Sequence, residues 1–265
     1  RARMYGFLGS EAKVAPRDRD WLTAVFGPAE LRIPQPGHRA IPMNVIWTPM
    51  KAAALPPDLG PSGLRRKGIE QHPIRNRRIG RMAIALAAND RFLLDKDFPE
   101  VSPILNGRSN LRVAILVASI EHALALAARL QDWPILTAPG AILTGLSPEE
   151  RHLLETRRRQ GPVDPPYIAT TAAADNIDYK AIDVLVWGGG GAFLPPLPPH
   201  RLICPSTGEH HLTVIDFADR HHPQLRRWSR QRRQAYQAAG WWASGTDPIP
   251  ARIEHFLATR PGRST

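Results

Sequence analysis

The residues best placed to meet a ligand follow directly after apolar runs of this chain. Ser119 comes after the apolar run 111–118, Thr170 and Thr171 end the run 167–171 with Asp178 just beyond it, and Asp216 lies at the end of the run 211–217. In an open sheet of parallel strands, ligands bind outside the carboxyl ends of the strands. We therefore expect these hydroxyl groups at one binding edge. The alternative is that they are ordinary turn and cap residues.

Residues that would hydrolyse a nucleotide are missing from the sequence. It contains no G-x-x-x-x-G-K-[ST] phosphate loop and no Asp-Glu pair at the end of an apolar run. The glycine run 188–191 lacks the Lys-Ser/Thr that would hold phosphate and magnesium. We interpret this run, together with the proline-rich run 195–199, as a flexible, exposed loop. The chain alone is therefore not expected to hydrolyse ATP.

The histidines and the cysteine do not have the spacing of a metal site. Five histidines lie between residues 200 and 222, but without the carboxylates or cysteines that complete a zinc motif. Cys204 is the only cysteine in the sequence. We therefore expect no metal bound by this chain and no internal disulfide.

The chain is strongly basic. Its formal net charge is +11, and 30 of its 35 basic residues are arginine. Because the planar guanidinium group suits phosphate better than the lysine ammonium group, this composition favours contact with nucleic acid. The alternative is that an acidic part of a longer protein balances the charge.

From residue 110 onward, apolar runs alternate with helical patterns. Five runs are predicted as buried strands: 111–118, 134–137, 167–171, 182–187 and 211–217. One helix is predicted over 120–130 after the cap residue Ser119, and another from Ser147 to about residue 160. This alternation predicts an α/β doubly wound parallel sheet over about residues 109–242.

A long basic helix is predicted over residues 223–239. Helical spacing divides its residues into two stripes. The first contains Leu225, Trp228, Arg232 and Tyr236, and the second contains Arg226, Arg230, Arg233 and Gln237. We expect the first stripe to pack on the sheet, with the Arg232 stem lying along it. The second stripe should face outward as a basic row.

The first part of the chain, residues 1–108, is irregular and rich in proline, glycine and arginine. Strand-like pieces lie at 3–8 and 41–48, and one amphipathic helix is predicted over 74–94. Its first turns carry Arg75, Arg77, Arg78 and Arg81, which oppose the helix dipole. These arginines should have an anionic partner or form a solvated basic face. The sequence has no apolar run long enough to span a membrane and no signal peptide, so we expect a cytoplasmic location.

Several segments, in order, resemble the motifs of superfamily-two helicases. Residues 111–130 (LRVAILVASIEHALALAARL) are similar to motif IV and its helix. Residues 167–178 (YIATTAAADNID) are similar to motif V, in which Thr170 and Asp178 match and Asn176 replaces the usual glycine. The usual motif VI, Gln-x-x-Gly-Arg-x-x-Arg, is degenerate: its positions carry Leu197, His200, Arg201 and Cys204, so that only the first arginine remains.

The resemblance extends to both sides of these motifs. Residues 212–241 resemble the tail of phage and bacterial helicase-like proteins, in which Asp-Phe-x-Asp precedes a basic helix. Residues 5–10 are similar to the motif III strand, and Arg75-Asn76 is similar to an Arg-Asn pair before motif IV. The resemblance implies that 1–108 is an N-terminal extension with the end of a preceding RecA-like domain. By the same comparison, 109–242 is a second RecA-like domain and 243–265 a C-terminal tail.

The resemblance also implies roles for particular residues. Nucleic acid, DNA rather than RNA, would be bound by Ser119, Thr170 and Thr171 and by the basic row Arg226, Arg230 and Arg233. Arg201 would act catalytically as an arginine finger, and Asp178 would share in nucleotide binding. ATP and Mg²⁺ would be bound mainly by an N-terminal RecA-like domain, in cis or in trans.

Three functions stay open on the sequence alone. The first is the second half of an ATP-dependent helicase or translocase. The second is a degenerate, non-hydrolysing module that binds nucleic acid or scaffolds a complex, in which Arg201 is a surface residue and Asp178 only a cap. The third is an unrelated nucleotide-sugar or dinucleotide enzyme, against which the lack of G-x-G-x-x-G after any strand counts.

Overall fold

The computed structural model describes residues 38–50, 52–105, 108–141, 145–161, 163–198, 201–205 and 210–245. The strand predicted at 3–8, with its likeness to motif III, lies outside these residues, as does His200. The described strands are β1 (His38–Ala40), β2 (Met43–Met50), β3 (Val113–Val117), β4 (Ile135–Leu136), β5 (Arg158–Arg159), β6 (Tyr167–Thr170), β7 (Val184–Trp187), β8 (Ile203–Pro205), β9 (Leu212–Asp219) and β10 (Trp242–Gly245).

The described α-helices are α1 (Pro61–Arg65), α2 (Pro73–Ala87), α3 (Arg91–Asp97), α4 (Ile120–Ala127), α5 (Pro148–Arg157) and α6 (Pro223–Ala238). A π-helical turn follows α1 at Arg66–Glu70. Short 3₁₀ turns lie at Ser102–Leu105, Thr171–Asn176 and Tyr179–Ala181. The cap residues predicted from the sequence are confirmed: Ser119 caps α4, and Ser147 caps α5 in a capping box with Glu150.

Eight strands form one parallel sheet in the order β10-β2-β9-β7-β3-β6-β4-β5. The predicted α/β parallel fold is thus confirmed. Every residue of β3, β6, β7 and β9 is buried, as expected for strands covered on both faces. The remaining two strands, β1 and β8, pair in antiparallel register beside the sheet.

The sheet is wider than the predicted range 109–242. Strand β2 pairs with β9 over eight residues, from Met43 opposite Leu212 to Met50 opposite Asp219, and β10 pairs with the other side of β2. The strand predicted at 41–48 is therefore an inner strand of the sheet. Its composition is mixed and a proline-rich stretch follows it, so the sequence alone does not show that it joins the strands after residue 110.

Helices cover the sheet on both faces. Along β9, Ile215 and Phe217 belong to one apolar cluster, and Val214 and Ala218 belong to the other. The first cluster contains residues of α2 and α4, including Met82, and the second contains Tyr236 of α6. Helices α2 and α6 therefore pack on opposite faces of β9.

The single helix predicted over 74–94 is wrong, because the chain breaks into α2 and α3 at residues 88–90. Asn89 adopts a left-handed conformation with φ 55°, which asparagine tolerates better than most residues. The Asp90 side chain then accepts a hydrogen bond from the backbone amide of Leu93 at 2.9 Å and begins α3. Both residues are short and polar, a combination typical of a helix cap.

Three of the four arginines predicted to need an anionic partner in α2 lie next to a carboxylate. Arg75 pairs with Asp219, Arg78 lies 3.5 Å from Glu100, and Arg81 pairs with Asp97. Arg77 is exposed. The pairs of Arg78 and Arg81 are close to the surface, whereas the pair of Arg75 is fully buried.

Candidate functional site

Adjacent strands bring the predicted hydroxyl residues together at the carboxyl edge of the sheet. Val117, the last residue of β3, lies opposite Thr170, the last residue of β6. Ser119 follows Val117 by two residues, and Thr171 follows Thr170 directly. The Thr171 hydroxyl donates a hydrogen bond to the carbonyl oxygen of Ala118 at 3.3 Å. The prediction that Ser119, Thr170 and Thr171 share one edge is therefore confirmed in position.

The three hydroxyl residues differ in exposure. Ser119 and Thr171 are half-buried, whereas Thr170 is 3% exposed. The Ser119 hydroxyl accepts a hydrogen bond from the backbone amide of His122 at 3.2 Å and thereby caps α4. The first turn of α4 has further backbone N–H groups without helical partners, and the helix dipole makes this end positive. This edge can therefore attract an anion.

The glycine run after β7 is packed against this same edge, so the prediction of a flexible, exposed loop is wrong for its first three residues. Gly188, Gly189 and Gly190 are buried. A Cβ atom added to Gly188 would lie 2.9 Å from a methyl group of Val117, and one added to Gly189 would lie 2.1 Å from the Trp187 ring. The sequence needs glycine here because neighbouring side chains fill the space that a Cβ would occupy.

Two fully buried arginines contact the second half of β9, one from each face of the sheet. Arg75 of α2 donates from Nε to Asp219 Oδ1 at 2.9 Å. Arg232 of α6 donates from Nε to Asp216 Oδ2 at 2.9 Å and from Nη2 to the carbonyl oxygen of Phe217, also at 2.9 Å. Both arginines and both aspartates have no solvent exposure. The two positive charges are thus matched by two carboxylates, as burial of ions requires.

The same two arginines bind the glycine run. Nη1 of Arg75 donates to the carbonyl oxygen of Gly188 at 2.7 Å, and Nη1 of Arg232 donates to the carbonyl oxygen of Gly191. The backbone of the run is thereby bound at its first and last residue. Helices α2 and α6 together fix the loop that follows β7 at the carboxyl edge of the sheet.

The charges around Arg232 set its protonation and that of its neighbour Tyr236. Burial alone would lower the pKa of the Arg232 guanidinium, but Asp216 and Asp219 outweigh burial and raise that pKa. Burial, together with Asp216, raises the pKa of the Tyr236 hydroxyl well above its ordinary value. The hydroxyl therefore stays protonated and donates to Asp216 Oδ2 at 2.8 Å.

Helix α6 presents its residues largely as its spacing predicts, with two corrections. Leu225, Arg232 and Tyr236 are buried, but Trp228 is only half-buried, and Ser229 takes the fourth buried position. Ser229 is small enough to lie close to β9, where its hydroxyl accepts a hydrogen bond from the Asp219 amide at 3.1 Å. Arg232 does not extend along the sheet towards solvent, because its guanidinium group is paired inside the protein.

The predicted basic row lies on the outer flank of α6. Arg226 and Arg230 are exposed, and Arg233 is half-buried. Within the part of the chain that the structure describes, no ion pair of Arg226 or Arg230 occurs. Their charges are therefore available to an external anion.

Asp178 and Arg201 lie towards the amino edge of the sheet, away from Ser119 and Thr171. Asp178 caps the turn Tyr179–Ala181 by accepting from the Lys180 amide at 3.1 Å. Its charge also acts on Arg112, just before β3. Arg201 is exposed and precedes Leu202, whose carbonyl oxygen accepts from Ile41 just before β2. The length of a five-residue strand, roughly 16 Å, separates the two groups of predicted site residues.

A buried histidine near Arg75, His122, was not predicted as part of a site from the sequence. His122 Nε2 lies 3.1 Å from the Asn76 side-chain oxygen, and the Asn76 amide donates to the carbonyl oxygen of Glu70 at 2.7 Å. Burial, and after it the charge of Arg75, lowers the pKa of His122 well below its usual value. The Arg-Asn pair was the one available signal: Arg75 reaches β9, and Asn76 reaches α4.

Among the described residues, no cluster of three or more histidine, cysteine or acidic side chains could hold a metal ion. No described helix is both long and apolar enough to cross a membrane.

Comparison with solved structures finds helicase and ATPase domains. The structure of T4 UvsW matches 77% of this chain at 15% identity, with a TM-score of 0.44. Domain 2 of the Mss116p DEAD-box helicase, solved with an RNA duplex, matches 81% at 12% identity and a TM-score of 0.34. The C-terminal part of the Fun30 ATPase domain matches 74% at 12% identity and a TM-score of 0.30.

The chain spans 41% of the length of UvsW, 68% of Mss116p domain 2 and 77% of the Fun30 fragment. No protein-family model matches the chain, and no curated protein is similar to it in sequence. The α/β class of the fold rests on its own strand order and register.

Proposed function

We propose that this chain binds a single strand of nucleic acid at the carboxyl edge of its sheet, as the second RecA-like domain of an ATP-dependent helicase or translocase. One observation carries the proposal: Ser119, Thr171 and the start of α4 meet at one edge, beside a glycine run whose position is fixed. Hydroxyl groups and free backbone amides are the groups that grip a phosphate backbone without reading its bases.

The charge of the protein supports the same proposal. The arginines that stabilise the fold, Arg75 and Arg232, are already neutralised by buried aspartates. On the outer flank of α6, by contrast, Arg226 and Arg230 are exposed and have no ion pair among the described residues. We assign the row Arg226, Arg230 and Arg233 to phosphate contacts, with DNA preferred over RNA.

The nucleotide would belong to a second domain, in cis or in trans, that carries the phosphate loop and binds ATP and Mg²⁺. This chain would add Asp178 and Arg201 from the amino edge. Their common location on one side of the sheet, away from Ser119, agrees with separate contacts to nucleotide and strand. Arg201 would approach the γ-phosphate as an arginine finger.

A second candidate is a degenerate module that binds the strand but does not take part in hydrolysis. It is favoured by the hydrogen bond that Asp178 already makes as a cap, and by the loss of the second motif VI arginine at Cys204. The two candidates differ in one assay. Strand-stimulated ATP hydrolysis by the full-length protein, lost in Arg201→Ala, supports the first. Strand binding without any hydrolysis supports the second.

Strand binding itself is tested by titrating a labelled oligo(dT) at several salt concentrations, with oligo(U) in parallel. For single strands, log affinity falls with log salt by about 0.7 per neutralised phosphate. The triple change of Arg226, Arg230 and Arg233 to Ala should weaken binding and reduce this slope by about 2, if each arginine neutralises one phosphate. A charge-matched control replaces Arg108, Arg129 and Lys180, which are exposed towards the amino edge, and should leave the slope nearly unchanged. Equal effects of the two triple variants, or wild-type binding that does not depend on salt, would overturn the proposal.

A further inference from the structure

Phe193 is the most exposed of the large apolar side chains in the described part of the chain. Its exposed fraction is 84%, against 78% for Phe92 and 44% for Ile84. A single exposed apolar residue is common on protein surfaces, so its exposure alone indicates nothing. The structure around Phe193, however, distinguishes it from the others.

The backbone on both sides of Phe193 is anchored. Two residues before it, the carbonyl oxygen of Gly191 accepts a hydrogen bond from Arg232. After it, Leu194 packs against an apolar cluster and Pro195 is buried. Because the backbone is anchored, a ligand that meets the Phe193 ring has to order the side chain and not the segment that carries it.

Phe193 is also joined to the proposed strand-binding edge by a short stretch of chain. It follows Gly188 by five residues, so their Cα atoms are at most about 18 Å apart. The Gly188 amide donates to the carbonyl oxygen of Leu116 at 2.8 Å, and a Cβ added to Gly188 would lie 2.9 Å from Val117 and 3.2 Å from His122, which are two residues before and three residues after Ser119. A strand that crosses Ser119 and Thr171 can therefore place one of its bases over the Phe193 ring.

We propose that Phe193 stacks on an unpaired base of the strand bound at the carboxyl edge. The proposal rests on the proposed function, since it requires a bound strand. A base is the expected occupant, and not an apolar protein surface, because the molecule is strongly basic and attracts a polyanion. Stacking on an aromatic ring tolerates any base, so Phe193 would add affinity without sequence preference.

The test compares Phe193→Ala with Phe92→Ala in oligo(dT) binding. Phe92 is the matched control because it is almost equally exposed but is distant from the proposed edge. It lies at the start of α3, after the C-terminal end of α2, whereas Arg75 lies in the first turn of α2. We expect Phe193→Ala to weaken binding roughly tenfold and Phe193→Trp to keep wild-type affinity. Because stacking releases no counterions, the salt slope of Phe193→Ala should equal that of the wild type. Phe92→Ala should bind like the wild type.

A second readout locates the contact directly. An oligonucleotide carrying 5-iodouracil, irradiated on the wild-type protein, should crosslink to Phe193, as identified by mass spectrometry of the peptides. Wild-type affinity in Phe193→Ala, or a crosslink confined to other residues, would overturn the stacking proposal and leave strand binding intact. A wild-type protein that binds no strand would overturn both proposals. Circular dichroism of Phe193→Ala should match the wild type because the ring is outside the core.

Discussion

Helix α6 contains two kinds of arginine, and the contrast between them explains much of this molecule. Arg232 is fully buried and paired with Asp216, whereas Arg226 and Arg230 are exposed on the outer flank. All three have the same side chain and lie within seven residues of one another. The difference comes from which face of the helix turns towards the carboxylates of β9. One arginine thereby becomes part of the fold, and the others remain available to a ligand.

The contrast predicts different consequences for the same substitution, and the largest is expected at Arg232. Arg232→Ala leaves the Asp216 carboxylate buried without its partner, so the free energy of unfolding should fall by about 3–5 kcal/mol. Arg226→Ala should change it by less than about 0.5 kcal/mol, as is usual for surface positions. Chemical denaturation of both variants measures the difference. A loss below about 1 kcal/mol in Arg232→Ala would show that the buried pair is not needed for stability.

A smaller loss in the free energy of unfolding is expected from a substitution at Gly190, where Arg75 lies against the glycine run, and Gly240 provides the comparison. Gly190 and Gly240 both have left-handed backbones, with φ of 64° and 72°. A Cβ added to Gly240 would meet nothing within 4 Å, but one added to Gly190 would lie 3.0 Å from Nη2 of Arg75 and from Ile69. Gly240→Ala should therefore cost about 1 kcal/mol from backbone strain alone. Gly190→Ala should cost about 2–3 kcal/mol because crowding is added. Equal losses in thermal or chemical unfolding would contradict the close packing of the run.

Much of the scaffold could be predicted from the sequence, because its signals are local. Continuous apolar runs predicted the inner strands β3, β6 and β7, and single polar residues such as Ser119 and Ser147 predicted helix starts. The prediction for α6 was correct at most positions because helical spacing fixes which residues share a face. It failed at Trp228, because spacing does not show that only a small side chain fits next to Asp219.

The buried network could not be predicted, because its partners are distant in sequence. Arg75 and Asp219 are 144 residues apart, and Arg232 and Asp216 are 16 apart. No periodicity connects such residues before the strand order is known. The glycine run was interpreted as flexible for the same reason: its composition does not reveal the side chains of Val117, Trp187 and Ile69 that surround it.

The location of the predicted site residues in the fold was anticipated in part. Ser119, Thr170 and Thr171 do share an edge, because the ends of neighbouring parallel strands must meet there. Asp178 and Arg201 are elsewhere, since the turn Thr171–Asn176 leads the chain back towards the start of β7. The sequence places Asp178 only seven residues after Thr171, and linear distance was a poor guide to position in space.

The measurement that tests the central claim most directly is amide hydrogen exchange of the protein with and without a saturating single-stranded oligonucleotide. The proposed function predicts slower exchange in peptides that cover the carboxyl edge, namely residues 118–122, 171–173 and 188–193. Peptides from the amino edge, residues 178–181 and 201–205, should exchange at the same rate in both states. Protection at the amino edge, or none at the carboxyl edge while the strand is bound, would contradict the account.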